Sequence, residues 1–283
     1  MDLKAQIVQR ARPLRAPNQK SYSTLSLADR DAIAASCSIS KNAVEIAALE
    51  NDVIPQRYLR NIGSLGIEGQ KKLLESRVFL AGAGGLGGTI AQLLARMGVG
   101  TLVIADGDSF SEDNLNRQAL AFEGNLGSPK VKMALENLKQ INGATEVETF
   151  HGFAGYEEFS RLLRGSQVAI DALDNLPSRF KLEEACKAAK IPLVHGAVAG
   201  FSGQLTVIFP DDIGFRAFYG EPQTAGEKGI EVELGNLAGI VSTIASLEVQ
   251  EAIKIITNVG RPLRNRLLFI DTLNGAAEII HLQ

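Results

Sequence analysis

The chain has 283 residues, 45% hydrophobic and 22% charged, enough for one large α/β domain or for a domain with an accessory piece. Its formal net charge of −3 supplies no general attraction to nucleic acid or to a membrane surface, so any affinity for phosphate must be local. No apolar run approaches the roughly 20 residues that a bilayer span needs, and the polar start MDLKAQIVQRARPLR lacks the apolar core of a secretory signal, which predicts a cytoplasmic protein. Two cysteines, Cys37 and Cys186, cannot build a disulfide framework or a four-cysteine zinc site, and the scattered His151, His195 and His281 argue against a dedicated metal cage.

Residues 1–24 are mixed and polar, with two prolines, and read as a loose arm. The stretch LSLADRDAIAASCSISKNAVEIAALENDVIP then reads as two short helices separated near Ser38 and closed by Pro55. Within it Ile33, Ala34, Ser38, Ile39, Ser40 and Val44 loosely follow a helix-turn-helix pattern, but the neighbouring charges are mixed, which favours a docking arm over a DNA reader. From Arg77 onward strands and helices alternate: strands at 77–82, 101–106, 146–150, 167–171 and 192–195, helices at 87–97, 129–141, 155–163 and 177–189. That order predicts a Rossmann-like, doubly wound and mostly parallel sheet. The pattern changes at GQLTVIF, residues 203–209, and at LLFID and AEIIHL, joined by the turn TLNG, which read as antiparallel strands extending that sheet. Between them a glycine- and charge-rich stretch, 211–235, reads as a crossover loop, and 236–258 as a long apolar helix.

The chemistry starts at RVFLAGAGGLGG. Gly82, Gly84, Gly85 and Gly87 follow a hydrophobic run and open a helix, a turn whose backbone amides can approach phosphate at the helix N-terminus. Asp106 follows Gly87 by 19 residues, the distance at which a carboxylate ending the second strand meets ribose hydroxyls. This much suits a dinucleotide for hydride transfer as well as ATP. Downstream, Ser128 and Pro129 read as N-cap and first helical residue and put Lys130 in the first turn, where a cation opposes the helix dipole unless an anion sits nearby. Arg117 lies in NLNRQ past the Asp106 strand, and Asp174 with Asn175 in DALDN ends the 167–171 strand. All converge on the mouth formed by strand C-termini. Two cations and a carboxylate there suit a triphosphate with Mg²⁺, machinery that hydride transfer does not need.

The run RYLRNIGSLGIEGQKKLLESRVFLAGAGGLGG, followed by ADGD, NLNRQ, GSPK, DALDN and PLVHGAVAGFSGQLTVIF, resembles the E1-like activating enzymes of the bacterial MoeB/ThiF/HesA family. The resemblance implies a helical N-terminal extension over residues 1–56 and a ThiF/E1-like adenylation domain over 57–283. It implies an ATP-dependent adenylyltransferase acting on the C-terminal glycine of a ubiquitin-like sulfur-carrier protein with a Gly-Gly tail. The backbone at Gly85 would cradle phosphate, Asp106 would hold ribose, and Asn114, Arg117 and Lys130 would contact phosphates. Asp174 would coordinate Mg²⁺, with Asn175 beside it in the nucleotide site. Arg60 in RYLRN matches an arginine that reaches ATP from the other subunit, so a homodimer is implied.

The chain departs from many relatives in lacking two CxxC pairs, one soon after the GQLTVIF-like strand and one near the C-terminus, which predicts no zinc. No cysteine lies in 211–235, so the reaction is expected to stop at the acyl-adenylate. Cys186 shares a helix face with Leu182, Ala185 and Ala189 and is expected to be a buried hydrophobe, while Cys37 lies in the arm. His195 stands where relatives often have a small residue, and either packs as a hydrogen-bonded core histidine or guides the carrier tail. Other readings are a dehydratase-type relative adenylating another carboxylate, a noncatalytic nucleotide-sensing module, and, last, an NAD dehydrogenase.

Overall fold

The computed structural model describes residues 2–16, 19–221 and 231–282. The first stretch is not a loose arm. It forms α1 (Leu3–Arg10), β1 (Arg12–Arg15) and β2 (Ser21–Leu25), followed by α2 (Leu27–Cys37), α3 (Lys41–Leu49) and the short β3 (Ile54–Pro55). Ile7 and Leu25 are buried against Ile33, Val44 and Val53, a core assembled from residues too far apart to give a local periodicity. Every β1 residue is exposed, which is why the composition looks like that of a solvated arm. Ser26 and Ser40 cap the two helices by accepting the N–H groups of Asp29 and Ala43, each at 3.1 Å. Of the helix-turn-helix positions, Ile33, Ala34 and Val44 are spent on this core.

Tyr58 ties the unit to the rest of the chain. Its ring is fully buried, its hydroxyl donates to Glu45 (2.9 Å), and Asn142 donates to it (2.9 Å). Burial, reinforced by Glu45, raises the Tyr58 pKa above its ordinary value, so the phenol stays a donor. The helix that follows, α4 (Ile62–Leu74), was not foreseen; its glycines mask the pattern, and at Gly66 (φ 67°, ψ 179°) the backbone leaves helical geometry.

The large sheet is assembled from β4 (Arg77–Ala81), β5 (Thr101–Asp106), β6 (Glu146–His151), β7 (Val168–Asp171), β8 (Leu193–Ala199), β9 (Ser202–Ile208), β10 (Arg266–Asp271) and β11 (Ala276–His281). Its order is β11-β10-β9-β8-β7-β4-β5-β6, parallel from β6 to β8 and antiparallel from there to β11. The helices are α5 (Gly85–Met97), α6 (Lys130–Ile141), α7 (Tyr156–Leu162), α8 (Leu176–Ala189), α9 (Arg216–Tyr219), α10 (Glu231–Leu234) and α11 (Ala238–Thr257). The predicted elements lie within two residues of these, except that β8 runs on to Ala199 and the 211–235 loop holds two helical turns. Part of that loop, 222–230, lies outside the described residues.

Alternation along the strands separates two cores. Val78 and Leu80 face α5 and α11, whereas Phe79 and Ala81 face α7 and α8. Cys186 is buried with Leu182 and Ala185, as its helix face requires; Ala189, in the last turn, is exposed. Burial pushes the Cys186 thiol pKa up, which keeps it an inert thiol.

Residues after β9 are tied to those before β10 by one arginine. Arg264 lies 2.7 Å from both Asp211 and Asp212 and 4.8 Å from the Phe209 ring centroid. The exposure of Arg264 and Asp211 keeps these ion pairs weak and open to screening by salt. Arg264→Ala is expected to lower the melting midpoint by about 2–4 °C in low salt and by less in high salt, since the carboxylates are screened; equal melting of variant and wild type in low salt would show that the link carries no stability.

Candidate active site

After β5 and β6 the chain returns to place β7 on the other side of β4, so the strand order reverses between β4 and β7. Loops leaving the carboxyl ends of these two strands diverge there and leave a crevice. It opens into a cavity of about 700 Å³ that crosses the mouth of the sheet from Gly152 and Phe153 to Gln204 and Phe269.

Two backbone contacts shape the glycine turn. Gly82 has φ 103°, and a Cβ there would lie 2.5 Å from the Ala172 carbonyl oxygen. A Cβ on Gly87 would lie 2.0 Å from the Gly82 carbonyl oxygen. The first glycine therefore lets β4 turn beside β7, and the second lets α5 sit on that turn; Gly87 does not line the cavity. Gly84 and Gly85 do, at the N-cap and first residue of α5, where the helix presents its unpaired amides.

Asp106 locks the turn from below. Its Oδ2 accepts the Ala83 N–H and its Oδ1 the Asp108 N–H, both at 2.7 Å. Burial raises its pKa from the ordinary carboxylate value, against these hydrogen bonds and Lys130, which lower it. Lys130 begins α6 after Pro129, which occupies the N-cap that the sequence assigned to Ser128. The lysine is buried, and the anion that its position demands is Asp108, 3.0 Å away and half-exposed. Asp108 was missed, although a cation at the first residue of a helix, with no acidic residue in that turn, was a signal for it.

Arg117, Lys130, Asp174 and Asn175 all line the cavity with the glycines and Asp106. Arg117 donates to the Asp113 carbonyl (2.8 Å) and to Asn116 (2.7 Å). Asp174 is exposed at the cavity and accepts from Asn175 (3.1 Å), while the Asn175 Oδ1 caps α8 by accepting the Ser178 N–H (2.9 Å). Two expected residues lie elsewhere. Asn114 closes a short helical turn by accepting the Ser111 N–H (3.3 Å) and does not line the cavity, and Arg60 is exposed on the turn before α4. Gln118, next to Arg117, is buried against the cavity with its Oε1 unpartnered among the described residues, leaving an acceptor for a ligand donor.

Below the β8 side lies a second polar group. Asp171 and His195 are fully buried and 2.7 Å apart, and burial lowers the His195 pKa, opposed by Asp171, so the imidazole is neutral. Glu248 on α11 is fully buried against Gly196, and both its oxygens lack partners among the described residues. Burial, then the Asp171 charge, raises its pKa well above 4.5.

Glu248 couples the stability of the fold to pH. The folded chain keeps a proton that the unfolded chain releases above about pH 4.5, so this group lowers stability as pH rises from there towards its folded pKa. Glu248→Gln removes that proton linkage. The melting midpoint of the glutamine variant relative to wild type is expected to climb as pH is raised from 4.5 to 8; a difference independent of pH would mean that Glu248 is ionised in the fold.

A ThiF family model matches residues 58–283. The chain is 36% identical over 226 residues to the SAMP-activating enzyme E1 of Haloferax volcanii, covering 79% of this chain and 84% of that one. It is 35% identical over 226 residues to the molybdopterin-synthase adenylyltransferase of Escherichia coli, covering 77% and 88%. With the maize adenylyltransferase and sulfurtransferase MOCS3-1 it shares 35% over 230 residues, 80% of this chain but 49% of that protein, so it spans about half the length of such relatives. Among solved structures it resembles PaaA (TM-score 0.67, 22% identity, 81% and 82% of the two chains) and E. coli MccB with ATP (TM-score 0.66, 20% identity, 80% and 71%), a likeness of fold.

Proposed function

The chain belongs to the ThiF family, and from that premise we propose that it is an ATP-dependent adenylyltransferase that activates the C-terminal glycine of a ubiquitin-like sulfur-carrier protein. The observation that carries this reading is the gathering of Arg117, Lys130 and Asp174 around the glycine turn at the point where the strand order reverses. The named activities of the H. volcanii and E. coli relatives, each matched over most of its length, support the carrier as substrate.

In this reading the amides opening α5 at Gly84 and Gly85 cradle phosphate, and Asp106, whose oxygens each keep a free lone pair, takes the ribose hydroxyls. The carrier carboxylate attacks the α-phosphorus, the bond to the β-phosphate oxygen breaks, and pyrophosphate leaves with the electron pair. The attacking group is already an anion and needs no general base. Lys130 and Arg117 meet the charge that moves onto the leaving group, each worth about 10²-fold in rate. Lys130 is held ready by an exposed carboxylate, Asp108, that a phosphate can replace. An exposed carboxylate at the cavity suits Mg²⁺, which takes most of its oxygen ligands from phosphates and water, so Asp174 is the residue to hold it. The bound ion would neutralise charge on the phosphates. Arg60, exposed and outside the cavity, would act from the partner subunit of a homodimer. The absence of membrane-length apolar helices among the described residues is compatible with a cytoplasmic enzyme.

Asp174→Ala is expected to abolish carrier-dependent pyrophosphate release, measured with a coupled phosphate assay, while leaving the melting curve unchanged; near-normal release would refute its role. Mixing Arg60→Ala with Asp174→Ala subunits is expected to restore part of the activity, because heterodimers then contain one intact composite site. Verified heterodimers without recovery would assign the arginine to its own subunit or to no site.

A further inference from the structure

The cavity has two chemically different ends. Over β4 and β5 it carries the glycine turn, Asp106 and Lys130; over β8 and β9 it is lined by Ala197, Val198, Ala199 and Gly203, with Gln204 and Tyr219. Charged groups for a triphosphate gather at the first end. Small side chains leave room at the second for an extended peptide tail that itself lacks side chains.

Adenylation needs no base, yet the buried Asp171–His195 pair lies under the second end. Asp171 accepts the Leu173 N–H on Oδ1 (2.9 Å) and faces the His195 Nδ1 with Oδ2 (2.7 Å). A carboxylate can only accept, so Nδ1 carries the imidazole proton and Nε2 is left as an acceptor. The Tyr219 hydroxyl, 3.0 Å from Nε2, therefore donates to His195. Its oxygen then accepts from Gln204 Nε2 (2.6 Å) and Arg179 Nη1 (3.3 Å). One phenolic oxygen thus joins α8, β8, β9 and α9. The ring is held as well, with its centroid 5.7 Å from His195 and 4.6 Å from Phe218. These contacts occupy the hydroxyl proton and both lone pairs, which suits Tyr219 to holding a shape and not to attacking an acyl group.

We propose that Tyr219, held by His195, Asp171 and Gln204, is the fixed wall that positions the incoming carboxylate tail, and that His195 is a positioning residue for the acyl half of the site. Tyr219 ends α9, within the 211–235 crossover, and Leu234 and Asn236, further along the chain, line the same cavity. The Tyr219 hydroxyl bonds to His195 and Gln204 lie on the β8–β9 side, and Asp171, at the end of β7, stands between them and the nucleotide end. The inference rests on the adenylation reading and assigns to it two residues outside the phosphate machinery.

The test uses the full-length protein, Mg²⁺, ATP and a Gly-Gly-terminated carrier in ATP–pyrophosphate exchange, with Tyr219→Phe, His195→Asn and the double variant. Tyr219→Phe keeps the ring and removes the anchored hydroxyl. The expected result is a rise of about tenfold in the KM for the carrier, the worth of a well-placed hydrogen bond network, with kcat and the KM for ATP unchanged. The double variant is expected to be no worse than the weaker single one, because both cut the same link. If His195→Asn fails to fold, Tyr219→Phe decides alone. An unchanged carrier KM in Tyr219→Phe, or an equal rise in the KM for ATP, overturns the inference while the adenylation reading stands. A wild-type protein that binds ATP but exchanges with no carrier overturns both.

Discussion

The site depends on one backbone contact, the seating of Gly87 on the carbonyl of Gly82 while Gly82 itself turns against Ala172. This contact brings α5 down onto the junction of β4 and β7, and so points the helix's free amides into the crevice opened by the reversal of strand order. A side chain at either glycine would push backbone apart from backbone, a strain that no rotamer change relieves. The free amides at the start of α5 are thus presented by the same packing that closes the core of Val78, Leu80, Leu86 and Ile90.

Electrostatics divides the cavity. Lys130 is buried at a helix start, where the dipole disfavours it, and is balanced by Asp108; Arg117 and Asp174 complete a polar rim around the turn. Away from that rim the polar groups are internal. Asp171 pairs with His195 at 2.7 Å and with Arg179 at 3.3 Å beneath β8, and burial of Glu248 disfavours its charged form. Positive groups gather at the end of the cavity that carries the glycine turn, whereas the β8–β9 end is lined by small residues and one anchored phenol.

The sequence declared the elements whose signals are local. Strands that are short continuous apolar runs, the glycine turn, the helix of 238–257 and the C-terminal hairpin could be read because each is specified by its own few residues. The gathering of Arg117, Lys130 and Asp174 around the turn was legible for the same reason: strand ends converge by topology, and Arg117 and Lys130 follow β5 as Asp174 follows β7. What could not be read depends on pairing across the chain. Ile7 meets Leu25 and Val53 only after folding, so residues 1–24 looked unstructured, and the glycines of α4 hid a helix that packing sustains. His195 was recognised as unusual, but its partners Asp171 and Tyr219 are each 24 residues away, beyond any local pattern. The expected CxxC pairs would lie after the GQLTVIF strand and near the C-terminus; in this chain Arg264 pairs with Asp211 and Asp212 and links the stretch after β9 to the one before β10 by charge.

The central claim is that the cavity joins ATP to a carrier carboxylate. Its most direct test is ATP–pyrophosphate exchange by the wild-type protein with Gly-Gly-terminated ubiquitin-like carriers and the same carriers lacking the two glycines. The account predicts exchange that requires the intact tail. Exchange that proceeds equally with truncated carriers, or ATP binding with no exchange under any carrier, would contradict it and point to another carboxylate or to a nucleotide-sensing role.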